Sequence, residues 1–176
     1  MSYYFTIIGT KDNPLFELEF GTSKVGGDGI ARFRDEARYM NQFIVHAALD
    51  IVEEVQWGTK EQYLRRVDTF QNNHVHCFLT GGNMKFMLLM NPDPSNTTYS
   101  AYQTSPPSRP STGRQSTILL AANPTSQQTE DAVRQFMAEV YEAWIKCLMN
   151  PFYLINQPVR SPIFRGRVSA AAKKYL

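Results

Sequence analysis

The sequence predicts an α/β (α+β) fold in which helices cover both faces of a five-stranded sheet. Turn residues and hydrophobic periodicity give the element order strand, strand, helix, three strands, helix, helix. Short turns join the last three strands, which are therefore antiparallel. Residues 84–90 carry apolar side chains on both faces, as expected for a sheet that is covered on both sides. These observations together favour a three-layer sandwich.

The first two strands are predicted to form a hairpin. Residues 3–9 are aromatic and β-branched, and Asp12-Asn13-Pro14 is strong turn chemistry. In the second strand, residues 15–20, apolar side chains alternate with Glu17 and Glu19. One face of this strand should therefore be buried and the other polar.

The first helix is predicted over residues 35–56, and both of its faces are partly apolar. Its core-facing stripe would be Ala37, Met40, Ile44, Ala48, Ile51 and Val55. The opposite stripe, which we call the outward stripe, consists of Tyr39, Phe43, His46 and Asp50. A solvent face would be mostly Lys, Glu and Gln, so this stripe predicts a surface that another molecule covers. Coverage by another part of the same chain is the alternative.

Three further strands are predicted at residues 63–70, 74–80 and 84–90, separated by Asn-rich and Gly-rich turns. The next segment, residues 91–125, is mostly Ser, Thr, Asn and Gln. It contains six of the ten prolines, namely Pro92, Pro94, Pro106, Pro107, Pro110 and Pro124. Such a composition buries too little apolar surface to offset the entropy of ordering. We expect a disordered insertion within a single domain that spans residues 1–176.

Two helices are predicted after this insertion. The first begins near Ser126, where Thr125 and Gln128 have capping-box spacing, and its apolar stripe is Val133, Phe136, Val140 and Trp144. The second begins at Ser161-Pro162, a cap residue followed by proline at the first helical position, and runs toward Leu176.

Composition excludes several classes of protein. A net charge of +2 gives no reason to expect nucleic-acid binding. No apolar run approaches the ~18 residues of a membrane span, and the first residues lack the pattern of a signal peptide. We therefore expect a cytoplasmic protein whose two cysteines, Cys77 and Cys147, are reduced. The basic C-terminal segment, residues 151–176, contains no acid and is expected to touch a membrane at most peripherally.

No motif for catalysis or cofactor binding emerges. His74-Val-His-Cys77 resembles a metal fragment, but in a strand both histidines face away from Cys77. The glycine-rich residues 21–29 lack the Lys-Ser/Thr ending of a phosphate loop. His46 and Asp50 have the spacing of an acid–base pair but lack a nucleophile. We expect no metal and no cofactor, and a small enzyme that uses His46 and Asp50 is kept only as an alternative.

Three strings in order resemble the sedlin family. Asp12-Asn-Pro-Leu-Phe-Glu-Leu-Glu-Phe20 resembles its hairpin, and Asn41-Gln-Phe-Ile-Val-His-Ala-Ala-Leu-Asp50 is similar to its first helix. Met149-Asn-Pro-Phe-Tyr153, followed by Pro158-Val-Arg-Ser161, resembles its ending. The resemblance implies a longin-like (SNARE-like) fold, in which a five-stranded antiparallel sheet lies between one helix and two helices.

The resemblance also implies a function. It implies a small, non-catalytic core subunit of the transport protein particle (TRAPP) complex, an assembly that in this family tethers vesicles between endoplasmic reticulum and Golgi. The assembly exchanges nucleotide on a Rab-type GTPase, which sedlin supports only indirectly while it acts as an adaptor to peripheral subunits. Other TRAPP subunits, core and peripheral, are therefore the expected partners, and peripheral association with endoplasmic reticulum and Golgi membranes is the expected location. Asp50 matches an acid that belongs to the adaptor function. A sedlin-like paralogue that works outside the complex is the alternative.

Overall fold

A computed structural model describes residues 1–23, 27–33, 38–92 and 124–176. These residues form the predicted succession of elements. The strands are β1 (Ser2–Ile8), β2 (Pro14–Gly21), β3 (Tyr63–Phe70), β4 (Asn73–Leu79) and β5 (Lys85–Asn91), and the helices are α1 (Met40–Val55), α2 (Gln127–Leu148) and α3 (Pro162–Tyr175). Residues 93–123 of the predicted insertion lie outside the described residues, so the expectation of disorder there stays a prediction.

The five strands form one antiparallel sheet in the order β2-β1-β5-β4-β3. Strand β5 lies at its centre with β1 beside it, and almost every residue of these two strands is buried. The outer edge of β2 is partly covered, because the amide of Val159 donates to the carbonyl of Leu15 at 2.8 Å. At the other edge, β3 is bulged and Arg65 has a left-handed φ of 62°. A bulge of this kind discourages pairing with a further strand.

The helices divide between the two faces of the sheet as the resemblance implied. Helix α1 covers one face, over an apolar layer that includes Tyr4, Val75 and Leu89. Helices α2 and α3 cover the other face. Aromatic edges meet in this second layer: Phe5 and Phe136 have ring centroids 5.3 Å apart, and Phe86 and Trp144 are 6.1 Å apart. The predicted α+β fold with a one-plus-two arrangement of helices is confirmed.

The predicted core-facing stripe of α1 is partly wrong. The residues that are buried are Asn41, Ile44, Val45, Ala48, Leu49 and Val52. Ile51 is only half-buried and Val55 is 37% exposed, whereas Ala37 lies outside the described residues. The helix is turned by less than one residue step of about 100° from the prediction. Its apolar residues span a wide arc, and the sheet packs against the Val45 side of that arc.

The caps of the two later helices explain where they begin. Ser126 caps α2, because its side-chain oxygen accepts from the amide of Thr129 at 3.3 Å. The predicted cap at Thr125 was wrong by one residue. Ser161 caps α3 as predicted, with Pro162 at the first helical position. The predicted apolar stripe of α2 is confirmed, since all four of its residues are at most 1% exposed. None of the described helices has an apolar stretch long enough to cross a bilayer.

Candidate partner-binding surface

The polar face of β2 holds α1 in place. The carboxylate of Glu17 accepts two hydrogen bonds, from the hydroxyl of Tyr4 at 2.5 Å and from the side-chain amide of Gln42 at 2.7 Å. Glu19 pairs with Arg38 just before α1, with a shortest nitrogen–oxygen distance of 2.6 Å. Burial and the hydrogen bond to Glu17 raise the pKa of Tyr4 far above its ordinary value, so the hydroxyl remains a donor at neutral pH. These contacts fix which side of α1 faces outward.

The outward stripe lies on the side of α1 that faces away from the sheet. Tyr39 is 74% exposed and Phe43 is 65% exposed. Asp50 is exposed and His46 is half-buried. The structure therefore brings all four residues onto one accessible helix face, as the sequence indicated. That a partner binds there stays a prediction.

One exposed aromatic residue just beyond α1 was missed by the sequence prediction. Trp57 is 86% exposed and lies two residues after the end of α1. It lies seven residues after Asp50, a spacing of about two helical turns, and Gln56 between them keeps helical backbone angles. This spacing was visible in the sequence, but residue 57 lay just beyond the predicted helix, residues 35–56. A large exposed tryptophan is among the side chains most often central to protein interfaces.

The C-terminal part of the same helix is acidic. Asp50, Glu53 and Glu54 are all exposed, and no basic residue lies in the last turn. Within the described parts of the chain none of the three carboxylates forms an ion pair. Negative charge in the last turn of a helix is unfavourable to the helix dipole, so the dipole does not account for Glu53 and Glu54. Exposed aromatics beside unpaired acids suit a basic partner with an apolar centre.

The alternative chemistries gain no geometric support. The side chains of His46 and Asp50 form no hydrogen bond or ion pair with each other or with any other described residue. His76 packs beside Tyr63 in the layer of α2 and α3, whereas Cys77 belongs to the layer of α1, so the predicted separation of these two side chains is confirmed. No three His, Cys, Asp or Glu side chains converge among the residues that the structure describes. Burial also raises the pKa of the Cys77 thiol to about 12, which keeps it protonated.

Comparison with known proteins places the chain in a family. The profile of the family described as Sedlin matches residues 7–174. The "Transport protein particle 20 kDa subunit" of Schizosaccharomyces pombe is 34% identical over 176 residues, which cover all of both chains. The "Probable trafficking protein particle complex subunit 2" is 29% identical in Drosophila melanogaster and 30% in Caenorhabditis elegans, over 99% of this chain and at least 96% of each relative. With a match of this extent, the chain belongs to the sedlin family.

Proposed function

We propose that this chain is a non-catalytic adaptor subunit of a TRAPP vesicle-tethering complex. The observation that carries the proposal is the end-to-end similarity to a transport protein particle subunit, 34% identical over the whole of both chains. A match that covers all of both sequences supports the same position in a similar assembly. The accessible, acidic and aromatic outward stripe supports an adaptor role.

The finer part of the proposal concerns the pathway. The complex would act in transport from endoplasmic reticulum to Golgi, on whose membranes it would be peripherally associated. The assembly would exchange nucleotide on a Rab-type GTPase, and this chain would contribute by holding other subunits rather than by contacting the nucleotide. The competing proposal is a sedlin-like paralogue that binds partners outside the complex. Identification of the chains that co-purify with this protein separates the two.

Asp50 is the residue to test, because its substitution should have different effects on the stability of the free chain and on binding to a partner. In the free chain Asp50 is exposed and forms no ion pair with a described residue, so a substitution should change stability by about 0.5 kcal/mol or less. In an interface, removing one member of a desolvated charge pair costs roughly 2–5 kcal/mol. That range corresponds to a loss of affinity of about 30-fold to several thousand-fold.

The experiment replaces the 20 kDa subunit of S. pombe with a tagged copy of this chain, as wild type and as Asp50→Tyr. The wild-type chain should recover the other transport protein particle subunits. The Asp50→Tyr chain should unfold at the wild-type temperature yet lose one peripheral subunit and retain the rest. The matched control is Asp131→Tyr, which makes the same change at an exposed position on α2, on the opposite layer.

Each outcome has a separate meaning. Absence of all TRAPP subunits from the wild-type purification would favour the paralogue. Recovery of every subunit by the Asp50→Tyr chain would reject the outward stripe as the adaptor surface while leaving membership intact. Equal losses with Asp131→Tyr would show that the added ring, not the position, causes the effect.

A further inference from the structure

A second candidate surface lies on the layer opposite the outward stripe. The end of α2, the connection over residues 149–161 and the first half of α3 enclose a groove of about 430 Å³. This volume is within the range of about 300–1,000 Å³ that is usual for binding clefts. Its floor includes the buried Phe164 and the half-buried Val159 and Cys147, which pack on the core.

Large apolar side chains at the groove remain in water. Phe152 is 90% exposed and Ile163 is 71% exposed, and both line the groove. Met149, next to the groove at the end of α2, is 76% exposed. Isolated exposed apolar residues are ordinary, but several around one concavity are typical of a binding site.

The connection that carries Phe152 is held by several hydrogen bonds. Asn150 accepts from the amide of Phe152 at 3.1 Å, and the hydroxyl of Tyr153 donates to the carbonyl of Gln157 at 2.9 Å. Asn156 accepts from the amide of Thr10, at the β1–β2 turn, at 3.0 Å. The groove is therefore already formed in the free chain, which reduces the entropy lost on binding.

The charges at the groove are all positive. Lys146, Arg160 and Arg167 line it, and none of the described residues that line it is acidic. None of these three cations forms an ion pair with a described residue. Neighbouring cations are already engaged: Arg165 donates to the carbonyl of Glu17 at 3.2 Å, and Lys174 pairs with Glu139 at 2.9 Å. Lys146 also suits the C-terminal dipole of α2, but Arg160 lies before α3 and Arg167 within it, so that reason does not apply to them.

We propose that this groove binds a short acidic segment of a partner protein, whose apolar side chains insert between Phe152 and Ile163 while its carboxylates pair with Arg160 and Arg167. Arginine presents paired donors that match a carboxylate. The observations favour a peptide over a membrane, because recognition of anionic lipid usually takes about 4–8 clustered cations and the groove has fewer. The surface is separate from the outward stripe and goes beyond the proposed function.

The test uses the full chain and a phage-displayed library of random peptides. Selection should enrich sequences in which Asp or Glu flank large apolar residues. A fluorescein-labelled synthetic copy of the most enriched peptide is then titrated with the chain, and anisotropy gives its Kd. Arg160→Glu/Arg167→Glu should weaken binding at least about tenfold, and Phe152→Ser should weaken it without any change of charge. The matched control, Lys60→Glu/Arg134→Glu, reverses two exposed cations away from the groove and should bind as the wild type does.

Several results would overturn the proposal. One is a selection that enriches no acidic–apolar sequences. Another is binding that Lys60→Glu/Arg134→Glu weakens as much as Arg160→Glu/Arg167→Glu does. Phosphatidylserine-containing vesicles that bind the chain through the same arginines, in the absence of any selected peptide, would assign the groove to a lipid surface. Concentration-dependent sedimentation that Arg160→Glu/Arg167→Glu abolishes would assign it to a second copy of the chain. The isolated chain is used throughout, so failure here leaves the test of complex membership unaffected.

Discussion

The ion pair between Lys85 and Asp12 gives a sharp test of how the sheet is held to its first turn. The side chain of Lys85, at the start of β5, is 3% exposed, whereas that of Asp12, in the β1–β2 turn, is 52% exposed. Lys85 Nζ lies 2.8 Å from Asp12 Oδ1. No other carboxylate in the described parts of the chain pairs with this buried ammonium group. Removing the charge of Asp12 and removing the charge of Lys85 should therefore have different effects on stability.

Asp12→Asn removes the negative charge and little else. Asp12 has a left-handed φ of 56°, which asparagine tolerates well. Breaking a fully buried pair costs about 3–5 kcal/mol. Since half of the Asp12 side chain is in water, the cost here should be about 1–2 kcal/mol. Lys85→Met keeps the apolar stem and removes the buried charge, so it should be neutral to within about 1 kcal/mol, or stabilising.

Thermal unfolding distinguishes these cases. For a chain of this size, about 1 kcal/mol shifts the melting temperature by roughly 2–4 °C, so Asp12→Asn should lower it by about 2–8 °C. The double variant should return close to Lys85→Met alone. The exposed Lys174–Glu139 pair, whose atoms are 2.9 Å apart, is the matched control, and Glu139→Gln there should cause no measurable shift. A larger loss with Lys85→Met than with Asp12→Asn would refute the reasoning.

Two further predictions concern pH and the 91–125 segment. Burial, with His74 and Arg66 acting in the same direction, lowers the pKa of His76 to about 4. The free energy of unfolding should therefore have its full value above about pH 6.5 and fall by at most about 3 kcal/mol toward pH 4. His76→Gln should flatten this change in urea midpoints measured across that interval, and an unchanged slope would exclude His76 as its source. Deletion of residues 94–117 should leave the melting temperature within about 2 °C, since connection length alters loop entropy only slowly; a larger drop would show that the segment packs on the domain.

The elements of the fold were predictable because their signals are local. Turn residues bound each strand, and the alternation around Glu17 and Glu19 gave the correct faces of β2. The rotation of α1 about its axis was harder to predict, because Ile44, Val45 and Leu49 make its apolar arc wide. Periodicity defines such an arc, but packing on a twisted sheet decides where its centre lies. The outward stripe remained visible because its aromatic residues are unusual for a solvent face.

The groove was not predictable, because its lining comes from segments that meet only in the folded chain. The sequence showed a basic C-terminal segment, but not that Arg165 lies over the ring of Phe16 at 5.6 Å. Nor could it show that Arg160 and Arg167 line a concavity. Phe152 follows Pro151, shortly after the end of α2, a position that alone predicts only a loop. Such assignments depend on tertiary contacts between α2 and α3.

The two surfaces are opposite in charge as well as in position. The outward stripe of α1 is acidic and aromatic, the groove beside α3 is basic and apolar, and the buried layers of the sheet lie between them. A partner at one surface would therefore leave the other accessible, as the proposed adaptor role requires. Sites that share no residues usually contribute independently. The free-energy changes caused by Asp50→Tyr and by Arg160→Glu/Arg167→Glu should therefore add within about 0.5 kcal/mol. Strong coupling between them would mean that the sheet transmits a change between its two faces, or that a single partner wraps around the domain.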